Sequence, residues 1–472
     1  VLFVTAVPLC LGFFRLGEPS IWFDESATWL NASDGWRWMW VAAVSGEDCG
    51  GFVYGLVMKL WTSVFGYGET ALRTPSVLFA AATSLVLLQI GRGLGNLRAG
   101  VCMAACGMLH PVVICWSRQA RAYSLEVLLT AAYLAIILAY ARTGGRMRAV
   151  ALTIVGALLA LTHVFGVFVV IGGTLFLLAL RFERSAAESG LPARRSLAPS
   201  IIAGLLLGCW MFAMQSRVKQ NLDSFWIDGS PAEKYLDVLR QLMPFYGAVA
   251  LLVAAGAGLL LMRRRLPAER RLLMAAGLIL LTVAAGPAAA SALSRGDHHF
   301  IFPRYFLPGV VPVVVFAGYF LASLPRRFAV LGVLVLGAAG ISTATADGVF
   351  SDSGKDGGRT RAALQFFAAN FRKGDRLFIT PRYEESTLRY YGVPSRIVLG
   401  VGQLGERDQL QDLLRSEPPQ ADARNWVMVY HCDDADDLGG LVPADCPQER
   451  FGMIRLVRVD AKSAAPAASA AE

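Results

Sequence analysis

Apolar residues in this chain gather in long blocks rather than at every second or every third-to-fourth position, the mark of helices buried on all sides. The blocks centre near residues 7, 82, 106, 132, 155, 173, 207, 254, 282, 314 and 336. Each reaches the roughly 17 to 25 residues that a helix needs to cross the hydrocarbon core of a bilayer. The pattern predicts a polytopic α-helical membrane protein with about eleven transmembrane helices. Polar sequence between blocks is slight at Thr162-His163 and at Pro325-Arg326-Arg327. The chain opens inside an apolar run, Val1 to Phe14, with no Met or basic stretch before it, and this run is read as the remainder of a first spanning helix.

After about Asp347 the pattern changes. Helical and strand-like segments alternate at Arg359 to Phe371, Asp375 to Thr380, Glu384 to Tyr391, Arg396 to Leu399, Trp426 to His431 and Phe451 to Val459. They predict a small α/β domain. The Ala-, Ser- and Pro-rich end, Ser463 to Glu472, is expected to be disordered. Three regions follow: a membrane domain over 1–346, an α/β domain over 347–462 and a tail over 463–472.

Composition agrees with lipid as the main solvent. The 472 residues are 55% hydrophobic and 17% charged, with mean hydropathy +0.50, more apolar side chain than one soluble core buries. A net charge of +9 raises nucleic acid as a partner, but the basic residues sit mainly in short loops between apolar blocks, so the charge is topological and no nucleic acid is expected. Alternate loops hold Arg92, Arg98, Arg142, Arg146, Arg148, Arg181, Arg263, Arg264, Arg265, Arg326 and Arg327, which the positive-inside rule assigns to the cytoplasm. The opposite loops are nearly charge-balanced and carry the unusual polar motifs. An odd number of spans from a cytoplasmic start places the α/β domain outside as well. There Cys432 and Cys446 are candidates for a disulfide, with pairing and separate thiols both open.

The first external loop begins Trp22-Phe23-Asp24-Glu25. A carboxylate held among aromatic rings at a membrane surface loses solvation, binds its proton more tightly and becomes a better base. The same pair also reads as an ordinary helix start, where the dipole favours acidic residues. Ser33-Asp34 then caps a run with Trp36 and Trp40 one turn apart, which suits a helix lying in the interface. A second acidic pair, Glu47-Asp48, and then Lys59 follow.

At this point the chain resembles a family, the glycosyltransferase C superfamily, in its protein-O-mannosyltransferase-like branch, which includes the lipid A aminoarabinose transferases. The resemblance rests on Trp22 to Glu25, on Phe65-Gly66-Tyr67-Gly68-Glu69-Thr70-Ala71-Leu72-Arg73, on Ser117-Arg118-Gln119-Ala120-Arg121-Ala122-Tyr123, on His163-Val164-Phe165-Gly166 and on Arg304-Tyr305-Phe306-Leu307-Pro308. It implies a bacterial inner-membrane enzyme that takes a sugar from a polyprenyl-phosphate carrier at the extracytoplasmic face. It further implies Asp24 as the catalytic base, with Glu25 beside it. Where many relatives have a His-Pro-Pro-like segment, this chain reads Glu47-Asp48-Cys49-Gly50-Gly51, so the acceptor side is expected to differ.

A phosphodiester donor needs cations that bind its phosphate and stabilise the leaving group. Arg118 and Arg121, one turn apart with Tyr123 beside them, suit phosphate oxygens, and Arg304 with Tyr305 would complete the clamp. The same arginines also read as interfacial anchors to lipid headgroups. Lys59, His163, His298 and His299 are expected to line the site. Adjacent histidines in an extended loop point apart, so a metal at His298 and His299 is geometrically awkward; if a divalent ion is used, Asp24 with Asp48 or Glu47 is its expected ligand set. No nucleotide cofactor is called for, since no phosphate-cradling Gly-rich loop joins a strand to a helix. Ser230-Pro231-Ala232-Glu233 opens a second surface helix. Expected partners are the lipid-linked donor, an extracytoplasmic acceptor and membrane lipids. The rival reading is a transporter or flippase, which calls for buried charges and broken helices at mid-membrane.

Overall fold

The computed structural model describes residues 2–36, 51–182, 197–199, 201–206, 209, 230–242, 267–293, 301–351, 359–394, 398–400, 424–430 and 446–459. The chain divides into two compact units. The first comprises Val1–Phe14, Asp34–Gly66 and Ala71–Ala344; the second comprises Arg15–Ser33, Tyr67–Thr70 and Thr345–Glu472.

The first unit is a helical membrane bundle. Among the described residues, five helices are long and apolar enough to cross a bilayer: Glu69–Gly93, Tyr123–Thr143, Ala268–Ala289, Pro303–Ser323 and Arg326–Ala346. A pair of apolar helices, Leu97–Met108 and Pro111–Ser117, bends by 62° at its break and makes a sixth crossing if the two form one span. The sequence read that block as one straight span. Pro111 has no N–H to give to a continuing helix and instead starts a new one, with the extended His110 as its N-cap. Leu2–Phe13, Phe52–Phe65 and Gly166–Phe182 are shorter apolar helices, and the blocks centred on 207 and 254 fall largely outside the described residues.

Burial ranks these helices. In Tyr123–Thr143 and Pro303–Ser323, 72% of the apolar window is buried, against 22% in Arg326–Ala346, so the first two form the centre of the bundle and the last its lipid-facing rim. Without water to drive apolar helices together, close approach depends on small residues. A Cβ on Gly91 would lie 2.2 Å from the Gly100 Cα, and one on Gly318 would lie 2.4 Å from the Met103 Cα. Substitution at either glycine would push two backbones apart. Asn96 sharpens the turn between the Glu69–Gly93 and Leu97–Met108 helices, its side chain accepting from the Ala99 N–H at 2.9 Å.

The Pro231–Leu242 helix forms as its capping sequence predicts, with Glu233 in the first turn. It buries Val238 and Leu242 and leaves Leu236 and Leu239 exposed. The expected interfacial helix around Trp36 to Trp40 lies mostly outside the described residues.

The second unit is built on a five-stranded sheet, ordered β2-β1-β3-β5-β4. Its strands are β1 (Arg376–Thr380), β2 (Val398–Gly400), β3 (Asn425–Val429), β4 (Gln448–Phe451) and β5 (Ile454–Val459). β2, β1 and β3 run parallel, and β5 and β4 complete the sheet antiparallel. The Thr360–Asn370 helix contributes Ala363, Leu364 and Phe367 to a core with Leu377, Ile379, Trp426, Met428, Ile454 and Leu456. One buried carboxylate pins the edge of β1 and β3. Asp375 accepts from the Arg372 N–H at 3.0 Å, the Arg424 N–H at 2.9 Å, the Arg424 guanidinium at 2.8 Å and the Trp426 indole at 3.0 Å. Burial pushes its pKa up, but these donors outweigh burial and hold the carboxyl below the usual range. The Phe23–Ser33 helix also belongs to this unit, with Asp24 and Glu25 in its first turn where the dipole favours them.

Candidate active site

Three chain segments meet at one end of the bundle in the first unit, and each opens a helix. Tyr123 begins the Tyr123–Thr143 span, His163 and Phe165 immediately precede the Gly166–Phe182 helix, and Arg304 and Tyr305 lie in the first turn of Pro303–Gly309, the 3-10 start of a central span. Their rings join them. Phe165 stacks on Tyr305 with centroids 4.7 Å apart and 14° between planes. His163 lies 5.5 Å from both Phe165 and Tyr305 and 5.8 Å from Tyr123. Trp116 meets Tyr123 edge-on at 4.4 Å.

Guanidinium groups are held against these rings. Arg121 lies 5.9 Å from the Tyr123 centroid, and Arg304 lies 4.9 Å from Phe302 and 5.8 Å from Tyr305. A ring face orients a guanidinium without cancelling its charge. Burial pushes the His163 imidazole down to about 3, and the charges of Arg304 and Arg121 push the same way. His163 is therefore neutral at physiological pH. Its Nδ1 accepts from the Phe165 N–H at 3.4 Å, which leaves the ring proton on Nε2. The cluster thus combines two cations, a neutral imidazole and two tyrosine hydroxyls with three helix N-termini, whose first N–H groups carry partial positive charge, and with the C-terminus of the Arg146–Thr162 helix, which His163 caps. Such an arrangement attracts an anion.

Arg118 takes a different place. It is buried, and its Nη1 donates to the carbonyls of Leu11 at 3.0 Å, Gly12 at 2.8 Å and Phe14 at 2.6 Å. Those carbonyls end the Leu2–Phe13 helix and need donors, so Arg118 serves as its C-terminal cap. Lys59 donates to the Asp34 carbonyl, with its ammonium 6.0 Å from the Trp36 ring.

In the second unit the two first-loop carboxylates differ in access. Glu25 is fully buried, whereas Asp24 keeps 9% of its surface exposed and is the more accessible of the two. Glu47, Asp48, His298 and His299 lie outside the described residues, as does Cys432; Cys446 is buried. Among the described residues no three His, Cys, Asp or Glu side chains gather as metal ligands. Asp48, the ligand expected beside Asp24, is not among them.

Sequence reasoning missed Glu126. It is fully buried in the first turn after Tyr123, neither carboxylate oxygen has a hydrogen-bond partner among the described residues, and Oε1 lies 3.6 Å from the His163 Nδ1. That separation is too long for a hydrogen bond. The signal was present as a lone ionisable residue inside an apolar block, three positions from Tyr123.

Two solved structures resemble the chain over nearly its whole length. ArnT from Cupriavidus metallidurans in the apo state matches with a TM-score of 0.61 at 13% identity, covering 98% of each chain. The same protein bound to undecaprenyl phosphate matches with a TM-score of 0.60 at 15% identity, covering 98% of this chain and 99% of that one. The Archaeoglobus fulgidus oligosaccharyltransferase in the apo form matches with a TM-score of 0.51 at 12% identity, covering 90% of this chain and 69% of the other. No family model and no curated protein sequence matches. At these identities the likeness is one of architecture: the chain shares the fold of these proteins, a multi-pass helical membrane domain with a small C-terminal α/β region.

Proposed function

We propose that the protein transfers a sugar from a polyprenyl-phosphate carrier to an acceptor at the extracytoplasmic face of a bacterial inner membrane. The observation that carries this reading is the convergence of Arg121, Arg304 and three helix N-termini on the ring cluster of Tyr123, His163 and Tyr305. Cations and N–H dipoles gathered in a low-dielectric setting favour a phosphate, and the surrounding rings suit the junction between a charged head and an isoprenoid tail. A structural neighbour bound to undecaprenyl phosphate supports the same donor class.

In the proposed reaction Asp24 takes the proton of an acceptor hydroxyl or amine, and the freed lone pair attacks the anomeric carbon opposite the phosphate. The bond from that carbon to the phosphate oxygen breaks, and the lipid phosphate departs with the electron pair. Arg121 and Arg304 stabilise the charge that builds on it. Attack from the opposite face inverts the anomeric centre. Arg118 contributes by fixing the end of the Leu2–Phe13 helix. Should a divalent ion take part, Asp24 with Asp48 would hold it and it would supply Lewis-acid polarisation.

Washed membranes containing the protein, supplied with radiolabelled undecaprenyl-phosphate hexose or pentose, test the reading. Wild type should move label to an acceptor and Asp24→Asn should not. Equal transfer by both would remove Asp24 as the base.

A further inference from the structure

The helix that carries Asp24 is tied at several points to the C-terminal part of its own unit. The Tyr391 hydroxyl accepts from the Ile21 N–H at 2.8 Å and donates to Glu69 Oε1 at 2.7 Å. The other oxygen of Glu69 pairs with Arg361. Arg361 in turn donates to the carbonyls of Gly17 at 3.1 Å and Glu18 at 3.2 Å, and its backbone N–H donates to the Ser20 hydroxyl at 3.2 Å. Three residues, Tyr391, Glu69 and Arg361, thereby fix the strand of chain from Gly17 to Ile21 that leads into Asp24. Beyond Asp24 the helix is held again. The Ser26 and Ser386 hydroxyls are 2.6 Å apart, Phe23 meets Tyr383 at 4.7 Å, and Trp29 meets Tyr390 at 5.4 Å.

These contacts are built rather than incidental. Burial and the neighbouring Glu69 carboxylate push the Tyr391 phenol up, so it keeps its proton and both of its hydrogen bonds. The contacts bracket the candidate base on both sides and join residues more than 290 positions apart.

We propose that the C-terminal α/β region positions the Asp24 carboxylate for proton abstraction, through the latch of Tyr391, Glu69 and Arg361. This rests on Asp24 as the base. None of the three touches the reacting atoms; they are positioning residues. Misplacement of a catalytic group by about 1 Å costs on the order of 100-fold in rate, so release of one end of the helix should lower kcat by about 10- to 100-fold and leave binding of the lipid carrier unchanged.

The test measures kcat in the membrane transfer assay and binding of undecaprenyl phosphate to the full chain for wild type, Tyr391→Phe and Asp24→Asn. A second pair of substitutions, Ser26→Cys with Ser386→Cys in the Tyr391→Phe background, lets oxidation tie the helix back. The expected result is a kcat for Tyr391→Phe at least tenfold below wild type, unchanged binding of undecaprenyl phosphate, and recovery of kcat on oxidation but not after reduction. Wild-type kcat in Tyr391→Phe overturns the proposal. A loss that oxidation does not restore, or one matched by an equal loss of carrier binding, overturns it as well. Full transfer by Asp24→Asn is a separate result and strikes the function reading itself.

Discussion

Guanidinium groups serve opposite ends in the two units. In the second, Arg424 sits on the Asp375 carboxylate and Arg361 on Glu69, so each charge is matched by another and the pair fastens backbone segments together. In the first, Arg121 and Arg304 are placed against the faces of Tyr123, Phe302 and Tyr305. A ring face fixes the orientation of such a group. The first pairs fasten backbone segments; the second two are the groups proposed to meet the donor phosphate. Arg118 puts a guanidinium to a further use. It lies three residues before Arg121 yet spends its Nη1 on three carbonyls.

Substitutions can break this contrast, and the largest effect belongs to chemistry. Loss of a general base costs about 10²- to 10⁴-fold, so Asp24→Asn should lower transfer by that factor without changing binding of the lipid carrier. Next comes the matched charge. Asp375→Ala leaves the Trp426 indole and the Arg372 and Arg424 N–H groups without their acceptor and should destabilise the α/β region by about 1–3 kcal/mol, the cost of unsatisfied buried donors. Thermal unfolding of the purified protein measures it. Because the folded pKa of Asp375 is depressed, its contribution is complete above the unfolded value of about 3.9 and is lost as pH falls through the folded one. Wild type should therefore lose stability below about pH 4, and Asp375→Asn should lack that component.

Smaller effects sharpen the ring cluster. Tyr305→Leu removes the stack on Phe165, an interaction of about 0.5–1.5 kcal/mol. It should weaken carrier binding several-fold by releasing Arg304, while the melting temperature of the α/β region stays unchanged.

The membrane architecture was legible because lipid imposes a simple rule, and the blocks at 82, 132, 314 and 336 became the spans Glu69–Gly93, Tyr123–Thr143, Pro303–Ser323 and Arg326–Ala346. The same averaging hid the bend at Pro111, since apolar residues on both sides make the block look continuous. In the α/β region, β1 and β3 fell where β-rich runs predicted them. The run from Phe451 to Val459 spans a hairpin turn, at Gly452 with φ +64°, between β4 and β5. Of the candidate site, the motif arginines and aromatics were readable as types. The division of labour between Arg118 and Arg121 was not, because it depends on where the Leu2–Phe13 helix ends in space. Nor was the Tyr391–Glu69–Arg361 latch, in which Glu69 is 322 and 292 positions from its two partners.

The central claim is that Arg121 and Arg304 hold a lipid phosphate. Titration of the purified protein with undecaprenyl phosphate, followed by native mass spectrometry, tests it most directly. A charge-assisted hydrogen bond contributes about 1.5–3 kcal/mol, so Arg304→Ala and Arg121→Ala should each weaken binding by about 10- to 150-fold. Wild-type affinity in the Arg121→Ala, Arg304→Ala double variant would contradict the account.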